Sequence, residues 1–277
     1  MKHNPWKTMS LDEARAYDER KETGPLRHQI AVKRELLWRT IKAYLPEDRR
    51  LPVLDLGGGT GVWAVRLASE GYQVILTDIS PGFLARAWEK VNALHVAEKV
   101  AIEEADITDL GRFPEDHFPL VLALGDPLSY CGDPEGALRE MLRVTKPGGV
   151  LVADVECKYG GIDTRRAQTL DDIRMILHEG VAHWPGSDQT ACIRLFAPSE
   201  IRALAESTGW EVLSMYPSDL LISLVEKDLM DKLLLSSGEQ MIKEWVSLEE
   251  QIRGDQHLLG CGPDVQFVLG KPVRERV

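Results

Sequence analysis

The amino-acid sequence predicts an α/β fold, a mostly parallel sheet with helices on both of its faces. Three observations carry that expectation. Short apolar runs over residues 53–56, 74–77, 100–103, 120–124 and 150–155 alternate with segments whose apolar residues recur at helical spacing. That is the pattern of strands buried on both faces by crossover helices. The first run leads straight into Gly57-Gly58-Gly59-Thr60-Gly61, and the second closes on Asp78. A bare turn after the first strand and a carboxylate after the second mark the edge where such sheets meet a ligand.

The elements follow in order. Residues 10–21 hold charges and good helix formers, and Gly24-Pro25 ends them. A second helix is expected over 27–44, where Ile30, Leu37, Ile41 and Tyr44 form a stripe that Lys33-Arg34 interrupts. Beyond the glycine turn a helix runs through Ala64, Val65 and Leu67 to Gly71. Ser80-Pro81 starts the next, with proline at the first helical position, where its missing N–H costs nothing. Asp133-Pro134 opens a helix through Leu138, Met141 and Val144, and Lys146-Pro147-Gly148-Gly149 turns the chain into the fifth strand.

After Glu156 the alternation stops. Residues 157–197 are too long for a plain crossover and include a helix near 170–177. Pro198-Ser199 opens another helix, 210–215 and 265–269 read as strands, and 218–253 reads as helical. The sheet then has seven strands. A single domain is expected over residues 1–277, with residues 1–46 as an N-terminal helical cap on a 50–156 core. The insertions 157–197 and 218–253 are expected to complete a lid over the sheet's carboxyl edge.

Composition narrows the function. At 44% hydrophobic and 28% charged residues, the chain has enough apolar material for one sizeable core. The net charge of -11 argues against a nucleic-acid partner, because phosphate binding rests on clustered Lys and Arg. Cys131, Cys157, Cys192 and Cys261 are scattered, with neither a CxxC pair nor zinc spacing, so no metal site is expected and the thiols read as free in a reducing compartment. Residues 1–22 carry no apolar run, and no stretch approaches the roughly 18 apolar residues of a membrane span. A cytoplasmic protein without membrane contact is expected, as a monomer or a homodimer.

The glycine loop carries the chemistry. Its turn is tight and its backbone must approach a ligand with no side chain in the way, while the following helix presents free N–H groups. A dinucleotide fingerprint would place its third glycine at position 62, which is Val62, so a nicotinamide or flavin cofactor is disfavoured.

Read together, residues 50–156 resemble the class I S-adenosylmethionine-dependent methyltransferase superfamily. The resemblance implies a Rossmann-like fold whose last strand is antiparallel, and a cofactor converted to S-adenosylhomocysteine. It matches Asp55 to the acidic residue that helps hold the methionine part, above Gly57, Gly58, Gly59 and Thr60. It matches Asp78, followed by Ile79, to the carboxylate that bonds the ribose hydroxyls, and Asp106-Ile107 to the adenine contact. Leu124 and Gly125 reach the pocket floor, and Tyr17 belongs to a segment that closes over the cofactor in similar proteins.

Methyl transfer from a sulfonium needs alignment and exclusion of water more than a dedicated side chain. Asp126 and Tyr130, in Asp126-Pro127-Leu128-Ser129-Tyr130, are candidates at the methyl centre, although Asp126 equally suits a helix cap. His183 is the candidate general base in the first insertion, and Trp184 beside it a candidate wall for an acceptor ring. The leading reading is methyl transfer to an O-, N- or C-nucleophile of a small molecule. A methyltransferase acting on tRNA or a protein side chain, and a protein that holds the cofactor without turning it over, are the alternatives.

Overall fold

The structure is a computed structural model that describes residues 4–160, 162, 166–183, 191–225, 229, 232–233 and 238–273. Two helices, α1 (Leu11–Thr23) and α2 (Arg27–Lys42), precede β1 (Val53–Leu56) and α3 (Val62–Ser69). The alternation continues through β2 (Val74–Asp78), α4 (Pro81–Ala93), β3 (Val100–Glu104) and β4 (Phe118–Ala123). A short α5 (Pro127–Tyr130) and α6 (Pro134–Val144) lead to β5 (Thr145–Glu156). The first insertion contributes α7 (Leu170–Glu179) and a hairpin of β6 (Val181–His183) and β7 (Cys192–Arg194). Then come α8 (Pro198–Ser207), β8 (Glu211–Pro217), α9 (Leu220–Leu224), α10 (Gly238–Ile252) and β9 (Asp264–Gly270).

Seven strands form one sheet in the order β3-β2-β1-β4-β5-β9-β8. The first five are parallel, and β9 runs antiparallel to both β5 and β8. Alternate side chains of each strand enter opposite cores. Leu54, Leu56, Val121 and Ala153 pack with Leu138, Met141 and Ile201 on one face. Val53, Leu122, Val152 and Val268 pack with Trp38, Ile41, Leu67 and Val91 on the other. Strands buried on both sides have no polar positions to alternate, which is why their sequences read as unbroken apolar runs.

Local signals set the helix starts. Ser10 and Glu13 form a capping box on α1, and Ser80 accepts from the Phe83 amide ahead of Pro81. The hairpin β6–β7 is absent from the sequence reading, since two three-residue strands are too short to show a period. The second insertion packs back on the cap: Trp245 and Val246 of α10 bury against Val32 and Leu36 of α2.

The cap is clamped to the sheet where α4 begins. A Cβ on Gly82 would stand 2.3 Å from the Met9 carbonyl oxygen and 2.5 Å from the Ser10 carbonyl carbon. Gly82→Ala is therefore expected to cost about 1–3 kcal/mol as overpacking and to loosen residues 4–23 without breaking the sheet. Limited proteolysis should cut the variant faster within that segment. Unchanged cleavage would show that the cap is not held at Gly82.

Candidate active site

A cavity of about 470 Å³ opens at the carboxyl ends of β1, β2, β4 and β5, under the N-terminal cap. Gly57, Gly58, Gly59 and Thr60 line one side, with Asp78 and Ile79 after β2 and Asp106 and Ile107 after β3. Leu124, Gly125, Asp126 and Tyr130 line the other, and Tyr17 comes from the cap.

The glycine loop is pinned by backbone bonds. The Gly58 amide donates to the Thr77 carbonyl at 2.9 Å, and the Gly59 and Ser80 amides donate to the two oxygens of Asp78, each at 2.9 Å. Two glycines serve different ends. Gly57 has φ +62, and a Cβ there would meet the Pro127 Cβ at 2.9 Å, so it lets the loop pack against α5. Gly59 has φ +56, and its Cβ would reach no atom nearer than 3.9 Å, so this is where the cavity needs bare backbone.

Asp55 stands beneath this loop, outside the cavity lining. A Cβ on Gly58 would lie 2.8 Å from Asp55 Oδ2. Both oxygens of Asp55 are buried without a hydrogen bond of good geometry, only the dipole of the Ala64 amide favouring its charge. Burial, with a smaller contribution from the Asp78 charge, lifts its pKa to about 7. Burial likewise raises Asp78 to about 6, against the Ser80, Gly59 and Ile79 amides that lower it.

The cap reaches the loop through charge. Asp18 of α1 accepts from the Thr60 hydroxyl at 2.6 Å and pairs with Arg86 at 2.9 Å and Lys90 at 3.2 Å. Trp6, Tyr17 and Phe83 bring their rings together, with centroids 5.9 Å apart for Trp6–Tyr17 and 5.3 Å for Tyr17–Phe83. Trp6 also meets Tyr130 edge-on at 5.9 Å.

Beyond Gly125 the cavity floor is acidic. Strand register sets Glu156 of β5 directly opposite Asp264 of β9, and Asp154 lies on the same face as Glu156 two residues before it. Carboxylate oxygens of Asp126, Glu156 and Asp264 all lie within 4.8 Å of one another. Lys33 of α2 pairs with Asp264 and stands 3.9 Å from Asp154, and Arg166 pairs with Glu156. The Tyr130 hydroxyl donates to Glu156 at 2.9 Å. Asp126 has left-handed backbone with φ 65 and makes no side-chain cap bond to α5, so its helix-cap alternative is not realised. The Gly125 and Asp126 amides donate instead to Asp154 at 2.7 and 2.9 Å. Burial, reinforced by Asp264 and Asp154, pushes the Asp126 carboxyl well above its usual range, while Lys33 opposes. Burial disfavours a charged Lys33, yet Asp264, Asp126 and Asp154 more than offset that and raise it.

Several sequence candidates sit elsewhere or are already engaged. His183 is not among the lining residues; on β6 it faces Cys192, with Sγ 3.9 Å from Nδ1. Trp184 lies outside the described residues. Asp106 lines the cavity but its Oδ1 accepts from the Thr108 amide and hydroxyl at 2.9 and 2.8 Å, a local turn. The sequence reading missed Trp6, Asp18, Lys33, Phe83, Asp154, Glu156, Arg166 and Asp264. Only the Asp154-x-Glu156 alternation at a strand's carboxyl end carried a readable signal.

Residues 53–149 match the family described as a methyltransferase domain. Over 122 residues the chain is 32% identical to a tRNA 5-carboxymethoxyuridine methyltransferase of Escherichia coli, covering 43% of this chain and 46% of that protein. Over 141 residues it is 36% identical to a ubiquinone/menaquinone biosynthesis C-methyltransferase of Azotobacter vinelandii, covering 45% and 54%. The chain thus spans about half the length of these curated relatives. A phosphoethanolamine N-methyltransferase of Haemonchus contortus in complex with S-adenosyl-L-methionine shares the fold at a TM-score of 0.59 and 20% identity, covering 95% of this chain and 57% of that one. Residues 53–149, with the sheet order and the pinned glycine loop around them, thus carry a methyltransferase domain similar to those of the class I S-adenosylmethionine-dependent enzymes. The residues fit that cofactor: bare backbone at Gly59 faces open cavity, and buried Asp78 beside it has oxygens that one amide each leaves able to accept more.

The raised carboxyls fix how stability depends on pH. Asp55 and Asp78 titrate near 7 and 6 in the folded chain against an ordinary 3.8, so their neutral forms favour the fold. Their contribution is full below the unfolded value and is lost as pH rises through the folded ones. The unfolding temperature of the ligand-free protein should drop between about pH 4 and about pH 7. Asp55→Asn should flatten that drop in a thermal scan, and an equally steep profile in the variant would remove Asp55 as its source.

Proposed function

We propose that the chain transfers the methyl group of S-adenosylmethionine to a small-molecule acceptor by direct displacement. One observation carries the reading: a single cavity joins the glycine loop and Asp78 on one side to Asp126 and Tyr130 on the other. When bound, S-adenosylmethionine supplies a methyl group already activated by the sulfonium charge. Asp78 accepts from the ribose hydroxyls while its own amide bonds hold Gly59 in place. Asp55 supports the loop from below rather than touching the ligand, and Ile79, Ile107 and Leu124 offer apolar surface to the base. The cap residues Tyr17 and Trp6 exclude water, and the chain's remaining task is to align the acceptor and take up its proton.

The same reading makes residues 1–46 and the two insertions one lid on a single domain. Four free cysteines and no helix, among the described residues, long and apolar enough to cross a membrane support a cytoplasmic enzyme. Transfer to a tRNA base is the second reading, favoured by the relative that acts on tRNA. The net charge of -11 weighs against it.

Incubation with candidate acceptors and detection of S-adenosylhomocysteine tests the activity. Turnover on bulk tRNA that collapses between low and moderate salt would move the reading to RNA. Asp78→Ala is expected to weaken S-adenosylmethionine binding by about 1–3 kcal/mol, the scale of a lost charge-assisted contact. Gly59→Leu should abolish binding in a protein that still unfolds cooperatively, because its side chain would enter the cavity at a strain of about 1–2 kcal/mol. Calorimetric titration decides both, and normal affinity in either variant contradicts the placement.

A further inference from the structure

We propose that the methyl acceptor is an amine, taken into the cavity as its ammonium ion between the Asp126 carboxylate and the ring wall of Trp6, Tyr17, Phe83 and Tyr130. The inference rests on the methyltransferase reading above and adds the class of substrate.

Three features of the floor lead there. Asp126 is 9% exposed, lines the cavity, and its Oδ1 has no hydrogen-bond partner among the described residues. A buried carboxylate oxygen without a donor carries a desolvation cost that a ligand donor relieves. Charge is also unbalanced on this side. Among the described residues, Asp126, Asp154, Glu156 and Asp264 face two cations, Lys33, which is shared between Asp264 and Asp154, and Arg166, which pairs with Glu156. A cationic ligand supplies what is missing, a neutral alcohol supplies a donor without the charge, and a carboxylate acceptor meets repulsion. The third feature is aromatic. The four rings line the same cavity, and ring faces attract alkylammonium groups with a strength that survives as N–H donors are replaced by methyls.

A divalent metal fits the same oxygens poorly. Glu156 already accepts from Tyr130 on one oxygen and Arg166 on the other, and Asp264 Oδ2 accepts from Lys33 and from Ser218 at 3.0 Å. Six to eight oxygen ligands are wanted by calcium, and magnesium demands a near-octahedral set, whereas the cluster leaves few oxygens unshared and brings two fixed positive charges beside them.

Chemistry and charge then agree. The ammonium donates an N–H to Asp126 Oδ1, and its proton passes to that oxygen, whose affinity for a proton burial has raised. The freed nitrogen lone pair forms the N–CH3 bond as the S–CH3 bond breaks and its electron pair stays on sulfur. The positive charge that left the sulfonium resides on the methylated nitrogen, still beside the acidic floor.

The test uses the full chain, dialysed against EDTA and saturated with S-adenosylhomocysteine. A panel of primary, secondary and tertiary alkyl and aralkyl amines is titrated, each beside its isosteric alcohol and carboxylate, for example 2-(dimethylamino)ethanol against 3-methyl-1-butanol and 4-methylpentanoate. Binding is read by calorimetry and tryptophan fluorescence. Wild-type protein is expected to bind amines at least about tenfold more tightly than either isostere. Asp126→Asn should bring that ratio near one while retaining S-adenosylhomocysteine. Trp6→Leu, which leaves the carboxylates untouched, should weaken tertiary amines more than alcohols. Preference for an alcohol or carboxylate, no ranking among isosteres, an amine preference unchanged in Asp126→Asn, or one that appears only with Mg²⁺ or Mn²⁺ added overturns the assignment. Failure to bind S-adenosylhomocysteine at all overturns the methyltransferase reading instead, so the two failures are distinguishable.

Discussion

Among the described residues, carboxylates outnumber cations at the carboxyl ends of the central strands, and the architecture around the cavity follows from that imbalance. The strands deliver Asp55, Asp78, Asp154, Glu156 and Asp264 to one edge, and the turn after β4 adds Asp126. Like charges set opposite one another in a sheet repel, as Glu156 and Asp264 would in isolation. The remedy comes from outside the sheet. Lys33 arrives from α2 and Arg166 from the first insertion, so the segments that close the cavity are the same ones that neutralise its floor.

The cofactor side uses the same logic with a different partner. Asp18 is nearly fully buried and would be costly alone, but it is met by Thr60, Arg86 and Lys90. It thereby joins α1, the glycine loop and α4 in one network. Removing either cap helix would leave charged groups without their partners on one side of the cavity, so these ion pairs act together with the buried apolar face of α2 in holding the cap to the core.

Much of the framework was legible in the sequence because it depends on local rules. Apolar runs, Pro-started helices and the positive-φ glycines at 57 and 59 are each readable from neighbouring residues, and Asp78 lies at a fixed distance from the loop. The acceptor side was not, because its residues meet only through the fold. Lys33 read as a break in an apolar stripe and proves to be the cation that serves Asp154 and Asp264. Asp264 is 108 residues beyond Glu156 in the chain yet opposite it in the sheet. Trp6 precedes the first α-helix in a polar stretch with no period, and His183, prominent in sequence for its chemistry, faces Cys192 in the hairpin.

Buried carboxylates that stay partly neutral until a ligand supplies hydrogen-bond donors and positive charge are the centre of this account. Linked-proton calorimetry addresses that most directly: S-adenosylhomocysteine titrated near pH 6 in two buffers of different ionisation enthalpy. Asp78, with a folded pKa of about 6, should ionise as the ligand binds, and protons should be released. Binding with no proton exchange, or with net proton uptake, would contradict it.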